Sequence, residues 1–171
     1  IGRRVASFAK AFGMAVVAFD PYLDDDLFNE LSIQRLSLEE LLKMSDVISL
    51  HVPSTPETHH LISQSCIEYM NRGVILINTS RGSAVSEEAL VLALDKGWVR
   101  AVGLDVFERE PLSRQSTLRR FDQVILSPHI GATTNEALQK ASEMAAQKVI
   151  DFFANPSCLS DELPPRDAWF E

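Results

Sequence analysis

The chain has 171 residues, 46% of them hydrophobic and 23% charged, with 16 basic and 24 acidic side chains giving a net charge of −8. This composition suits one globular domain with a sizeable core, and without a basic patch it argues against nucleic acid or an anionic membrane as a partner. The longest apolar runs, such as Val74–Ile77, fall far short of the roughly 20 residues of a membrane span, and two cysteines, Cys66 and Cys158, fit a reducing, cytoplasmic compartment.

The chain opens Ile1-Gly2-Arg3-Arg4, without Met or signal peptide and already inside a helix. Its length is therefore expected to measure part of a longer protein. Val5, Phe8, Ala9 and Phe12 recur at helical spacing, and Gly13 ends that helix. Apolar runs at Ala15–Phe19, Val47–Leu50, Val74–Ile77, Ala101–Leu104 and Val124–Leu126 read as five strands buried on both faces. Between them lie helices. Ser37 and Glu40 have capping-box spacing, Ser63 or Ser65 caps a short helix through Met70, and Ser86 opens a helix that Gly97 closes. A last long helix is expected from about Thr134 to Phe153, followed by a Pro-rich, acidic tail or linker. Strands alternating with helices call for parallel βαβ units, hence a doubly wound α/β sheet.

Four segments carry chemistry. Gly2 opens a helix and Asp20 closes the next strand, as in a dinucleotide-binding unit whose helix N-terminus holds a pyrophosphate and whose acid takes the ribose hydroxyls. A plain turn Asp before Pro21 is the alternative reading. Arg81, in Asn78-Thr79-Ser80-Arg81-Gly82, follows a strand at the edge where open α/β sheets bind ligands, and can grip a carboxylate through two parallel hydrogen bonds. Asp105 and Glu110 follow the next strand, and His129 follows the last. A His beside a carboxylate is a proton-transfer unit, since the acid orients the imidazole and stabilises its protonated form.

The segments Ser49–Ile62 (SLHVPSTPETHHLI), Ile77–Gly82 (INTSRG), Gly103–Pro111 (GLDVFEREP) and Ser127–Thr134 (SPHIGATT) resemble the D-isomer-specific 2-hydroxyacid dehydrogenases, in the phosphoglycerate dehydrogenase and hydroxypyruvate reductase branch. The resemblance covers residues 1 to about 153 and implies a Rossmann-type domain that binds NAD. It places substrate-carboxylate binding on Arg81, acid/base catalysis on His129, and the partner carboxylate of that histidine on Glu110. Asp105 is implied to hold the nicotinamide carboxamide, with Ile1, Gly2, Asp20, Val52, Pro53, Thr79, Ser80, Arg81, His129 and Gly131 completing the cofactor-facing set. A small 2-hydroxy or 2-oxo acid is the implied substrate, with a homodimer formed through this domain. Residues 1–153 would be a partial NAD-binding domain and 154–171 a tail, with the substrate domain outside the chain.

Other classes fare worse. A Ser80–His129–Asp105 hydrolase lacks the G-x-S-x-G elbow, because Asn78 stands where glycine is needed. A metal site from His51, Glu57, His59 and His60 has no supporting pattern, and adjacent His59 and His60 are expected to point apart. The alternative with most support is an NAD-sensing scaffold similar to the C-terminal-binding-protein corepressors, whose sequences Asp20–Leu23 and His59–Ile62 also resemble. In a sheet of order 3-2-1-4-5-6 the five strands map to the second through sixth, so the central first strand and its G-x-G would lie upstream of Ile1. The resulting gap of roughly 9–10 Å would split the sheet or be filled by something else. Such an isolated chain is expected to be unstable or inactive.

Overall fold

The computed structural model describes residues 1–154, which form two compact units, one spanning Ile1–His129 and the other running from Ile130. The first unit begins with α1 (Gly2–Ala11), which ends before Gly13 at φ +78°, then β1 (Val17–Ala18), α2 (Asp25–Glu30) and β2 (Gln34–Arg35). There follow α3 (Leu38–Met44), β3 (Val47–Leu50), α4 (Gln64–Tyr69), β4 (Val74–Asn78), α5 (Glu87–Asp95), β5 (Val99–Leu104) and β6 (Val124–Leu126). The second unit contains α6 (Asn135–Ala154). The expected tail falls outside the described residues, apart from Ala154 at the end of α6.

Local chemistry accounts for the helix starts. Ser37 caps α3 in a full capping box with Glu40, whose carboxylate accepts the Ser37 N–H at 2.9 Å. Ser63 and Ser86 cap α4 and α5 by accepting the backbone N–H groups of Cys66 and Ala89. Asp24 caps α2, a helix the hydrophobic pattern did not announce.

The sheet is split. β3-β4-β5-β6 form one parallel four-stranded sheet in that order, and β1-β2 form a separate parallel pair. The expected mapping set Val47–Leu50 beside Ala15–Phe19 and the gap between Ala15–Phe19 and Val74–Ile77; instead β3 pairs with β4, and the division falls between the β1-β2 pair and β3. The strand count also needs correction, because six strands are present and β2 supplies the additional one. Both residues of β2 are polar and exposed, so neither apolar run nor alternation marks it. The expected Ala15–Phe19 strand shrinks to Val17–Ala18, since only Gln34 and Arg35 pair with it.

Burial on both strand faces is also corrected. Ile48, Leu50, Val74, Leu76, Val102 and Leu104 join Leu42 of α3, Ile67 of α4 and Leu90 of α5 in one core. The alternate residues Ile75, Ile77 and Ala101 are only half-buried, and Ile125 is exposed. A face rich in β-branched residues is thus covered on one side by α3, α4 and α5 and incompletely on the other. No helix among the described residues is long and apolar enough to cross a membrane.

Candidate functional site

The carboxyl ends of β4, β5 and β6 lie side by side, so the loops leaving them meet at one edge. After β4, the buried Asn78 shapes the turn. Its Oδ1 accepts the Ser80 backbone N–H at 3.0 Å and the Ser80 hydroxyl at 2.8 Å, while its Nδ2 donates to the Arg81 carbonyl at 2.9 Å. This is an Asx turn built into a strand end, and it sets the direction in which the chain reaches Arg81. The Arg81 side chain is exposed, with Nη1 donating to the Ser80 carbonyl at 2.7 Å; Thr79 is also exposed.

The next residue fits tightly. A Cβ on Gly82 would overlap the Phe107 carbonyl, so glycine is what allows the loop after β4 to lie against the loop after β5. In that second loop Asp105 is buried, its N–H bonded to the Asn78 carbonyl at 3.1 Å and its Oδ1 accepting the Ser127 hydroxyl at 2.6 Å. Glu110 turns back so that Oε1 accepts the Phe107 N–H at 3.1 Å. The Glu110–Pro111 peptide bond is cis.

Glu110 and His129 come together as expected, with Glu110 Oε2 2.8 Å from His129 Nδ1. The hydrogen bond to His129, helped by the Phe107 N–H, holds the Glu110 carboxyl below the usual carboxylate range. His129 takes the left-handed backbone conformation, φ +55°, at the tip of the loop after β6. With Nδ1 tied to Glu110, Nε2 is the nitrogen left to exchange a proton with a ligand. A cleft of about 330 Å³ adjoins the pair, lined by Phe107, Pro111, Leu112, Leu126 and Pro128 among others.

The cofactor-facing residues divide into groups. Ile1 is the N-cap of α1, its carbonyl accepting the Arg4 and Val5 N–H groups, and α1 has neither a side-chain cap nor an acid in its first turn. An uncapped, acid-free helix start suits an anion such as a pyrophosphate. A Cβ on Gly2 would lie 3.5 Å from the His51 ring, which places this helix start beside the loop after β3. Burial pushes the His51 imidazole below its usual range, and Ser49 Oγ bonds its Nε2 at 3.0 Å. Val52 is half-buried against the core and Pro53 is exposed. Asp20 ends the segment after β1, its Oδ1 accepting the Tyr22 N–H at 3.0 Å, and Arg35 Nη2 donates to its carbonyl at 3.2 Å. Gly131 belongs to the second unit, in a turn closed by the Thr133 N–H on the Ile130 carbonyl at 3.0 Å.

One local expectation fails. His59 and His60 do not point apart; their rings lie 4.0 Å apart because His60 takes a left-handed φ of +50°. Among the described residues, no cluster of three His, Cys, Asp or Glu side chains is arranged to hold a metal ion. Sequence reasoning missed Asn78, Gly82, Ser127 and His51. The signal for Asn78 was present, since an Asn two residues before a Ser at a strand end is an Asx-turn pattern.

This edge gathers an exposed Arg and an acid–His pair, with an uncapped helix start beside the loop after β3, on the side of the sheet where open parallel α/β folds bind ligands. The chain belongs to the family "D-isomer specific 2-hydroxyacid dehydrogenase, NAD binding domain", whose model matches residues 1–131. It is 42% identical to a glyoxylate reductase of Korarchaeum cryptofilum over 165 residues, covering 96% of this chain and 48% of that protein. It is 45% identical over 149 residues to a D-3-phosphoglycerate dehydrogenase of Mycobacterium bovis, covering 87% of this chain and 28% of the relative. In three dimensions it is similar to the D-lactate dehydrogenase of Aquifex aeolicus complexed with NAD and lactic acid, with a TM-score of 0.83 and 39% identity. That match covers 95% of this chain and 53% of the other. The chain therefore spans about half the length of the glyoxylate reductase it matches. NAD is the cofactor of this family, and the helix start at Gly2, with Asp20 after β1, fits it.

Proposed function

We propose that the complete gene product is an NAD-dependent D-2-hydroxyacid dehydrogenase, moving hydride between NAD(H) and a small 2-hydroxy acid/2-oxo acid pair. The observation that carries this reading is the 2.8 Å bond from Glu110 to His129 at the sheet edge from which Arg81 also emerges. Arg81 anchors the substrate carboxylate through two parallel N–H donors and polarises the neighbouring carbonyl. His129 gives its Nε2 proton to the carbonyl oxygen in reduction and takes it back in oxidation. Glu110 fixes the ring through Nδ1 and stabilises the imidazolium that the reduction consumes. Bound NADH supplies the hydride, and the protein supplies placement and charge.

The first turn of α1 at Gly2 holds the pyrophosphate, and Asp20 takes the ribose hydroxyls, where its charge repels a 2′-phosphate. Ile1, Val52, Pro53, Thr79 and Ser80 line the cofactor, and Asp105 holds the carboxamide. Residues 1–153 form the NAD-binding portion. A homodimer through this domain is part of the proposal, supported by the exposed apolar side chains of Phe8 on α1 and Phe12 just after it. So is a cytoplasmic location, supported by the low cysteine count.

The test is turnover by the complete gene product with NADH and a panel of small 2-oxo acids, in wild type and Arg81→Ala. Losing two charge-assisted bonds removes roughly 3–6 kcal/mol, so kcat/KM should fall at least about 100-fold while NADH binding holds. A protein that binds NADH yet reduces no 2-oxo acid would be a nucleotide-sensing scaffold instead. An Arg81→Ala enzyme with unaltered kcat/KM would remove Arg81 from the substrate site.

A further inference from the structure

Beyond the Arg81, Glu110 and His129 residues, a second polar cluster fastens three loops of the same edge. His60, in the loop after β3, places Nε2 2.9 Å from Oε1 of Glu108, in the loop after β5. That same oxygen accepts the backbone N–H of Glu87, the first residue of α5, at 3.0 Å. Glu108 returns the bond, its own N–H donating to Glu87 Oε1 at 2.8 Å. The backbone is tied as well, because the His60 N–H donates to the Ser83 carbonyl at 2.7 Å and the Ile62 N–H to the Ala84 carbonyl at 2.9 Å.

The arrangement has a cost that surface decoration would not incur. His60 is held in the left-handed region at φ +50°, a conformation that costs about 1 kcal/mol or more for a residue with a side chain. Glu87 and Glu108 are brought together as two carboxylates, and burial, together with the Glu108 charge, pushes the Glu87 carboxyl above its usual range. A donor from His60 on Glu108 offsets that repulsion. The position of the cluster says what it does. Arg81 and Glu87 flank the Gly82–Ala84 turn, and Glu108 stands two residues before Glu110. At Gly82 this turn lies in contact with the Phe107 carbonyl. Fixing Glu87 to Glu108 therefore fixes the separation of the loops that carry Arg81 and Glu110.

We propose that His60, Glu87 and Glu108 are positioning residues, a clasp across three loops that holds Arg81 and Glu110 at the spacing the reaction needs. The proposal rests on the roles given to Arg81 and Glu110 above. None of the three touches the reacting atoms; they act through the loops they join.

The experiment uses the complete gene product as wild type, Glu108→Ala, Glu108→Gln, His60→Ala and the double variant His60→Ala/Glu108→Ala. Two readouts are taken: kcat and KM for the 2-oxo acid and for NADH, and the Glu110 carboxyl titration by carbon NMR after glutamate labelling. Glu108→Ala should lower kcat/KM for the 2-oxo acid about tenfold or more and leave the KM for NADH within about twofold. Glu108→Gln keeps an acceptor for the Glu87 N–H and should recover much of the loss. The double variant should be no worse than Glu108→Ala alone, since both substitutions remove one shared contact. The Glu110 titration should move upward in Glu108→Ala as its loop loosens from His129 and from the Phe107 N–H.

The clasp is overturned if Glu108→Ala moves neither readout, or if the losses multiply in the double variant and fall equally on both substrates. Should wild type reduce no 2-oxo acid, the dehydrogenase reading fails by itself. The Glu110 titration then decides the clasp, an upward movement supporting it and none overturning it. Should Glu108→Ala fail to fold by circular dichroism, His60→Ala decides by the same two readouts.

Discussion

Replacing Gly82 by alanine tests how closely the loops after β4 and β5 depend on each other. The added methyl would overlap the Phe107 carbonyl and stand 2.6 Å from the Glu108 nitrogen, about 1 Å inside ordinary contact. Its neighbours are backbone, so no side chain can swing away. The loop can retreat only by breaking the reciprocal Glu87–Glu108 bonds of 3.0 and 2.8 Å. Two such bonds contribute about 1 kcal/mol each, and forced overpacking adds roughly 1–3 kcal/mol, for a total near 3–5 kcal/mol. At about 2–4 °C per kcal/mol for a chain of this size, the melting temperature should fall by the order of 10 °C. Thermal unfolding by circular dichroism measures this, with Gly103→Ala as control. There the new methyl would meet only Ile77 Cγ1 at 4.0 Å, and the shift should stay within a few degrees. Equal melting temperatures for Gly82→Ala and wild type would show that the two loops do not lie against each other as described.

Three further outcomes are expected. The Glu110 carboxyl is held low by His129 in the folded chain, so its contribution to stability is complete above the unfolded value near 4.3 and is lost as pH falls through the lower folded value. With its side chain 37% exposed the effect is screened to under about 1 kcal/mol; melting curves of wild type and Glu110→Gln should converge on acidification, and parallel curves would contradict the pairing. Asp20→Ala should raise the ratio of NADP to NAD affinity about tenfold in the complete gene product, because it removes the charge facing a 2′-phosphate while leaving Arg35 beside it; an unmoved ratio takes Asp20 out of the cofactor site. The 171-residue chain alone should be inactive where the complete gene product turns over, and comparable kcat values for the two would refute that expectation.

The legible parts of the sequence were those where one local rule decides the outcome. Ser37, Ser63 and Ser86 cap helices because a hydroxyl before an apolar stripe satisfies first-turn N–H groups whatever surrounds it. The runs Val47–Leu50 and Val124–Leu126 are strands with the boundaries their β-branched residues announce. β2 was illegible because Gln34 and Arg35 carry no apolar signal, and their pairing comes from β1 rather than from their own preference. The Glu110–His129 contact could be read as two residues at one sheet edge, but not as a 2.8 Å bond, since that depends on Glu110 turning back to the Phe107 N–H. The His60 clasp was hidden for the same reason. Its partners lie on three separate loops, 21 and 48 residues apart along the chain, and only the parallel order of β3, β4 and β5 collects them.

The same geometry explains why placement alone does not make the chemistry. In the Ile1–His129 unit the side chains of His129 and Glu110 are 49% and 37% exposed, and Arg81 is exposed as well. In water at this exposure a charge pair a few ångströms apart exchanges only about 1 kcal/mol, against several times that when water is excluded. On the proposed dehydrogenase reading, hydride transfer to a carbonyl would need that exclusion, both to strengthen Arg81 on the carboxylate and to keep bulk water from the reacting atoms. The sheet edge therefore contributes direction: Asn78 aims the chain at Arg81, Gly82 and the clasp set its distance from Glu110, and Glu110 selects which nitrogen of His129 faces the ligand. It follows that substitutions at Gly82 and in the clasp should act on the orientation of Arg81 and Glu110 and leave cofactor affinity alone, whereas substitutions at Thr79 and Ser80, which line the cofactor on that reading, should alter both.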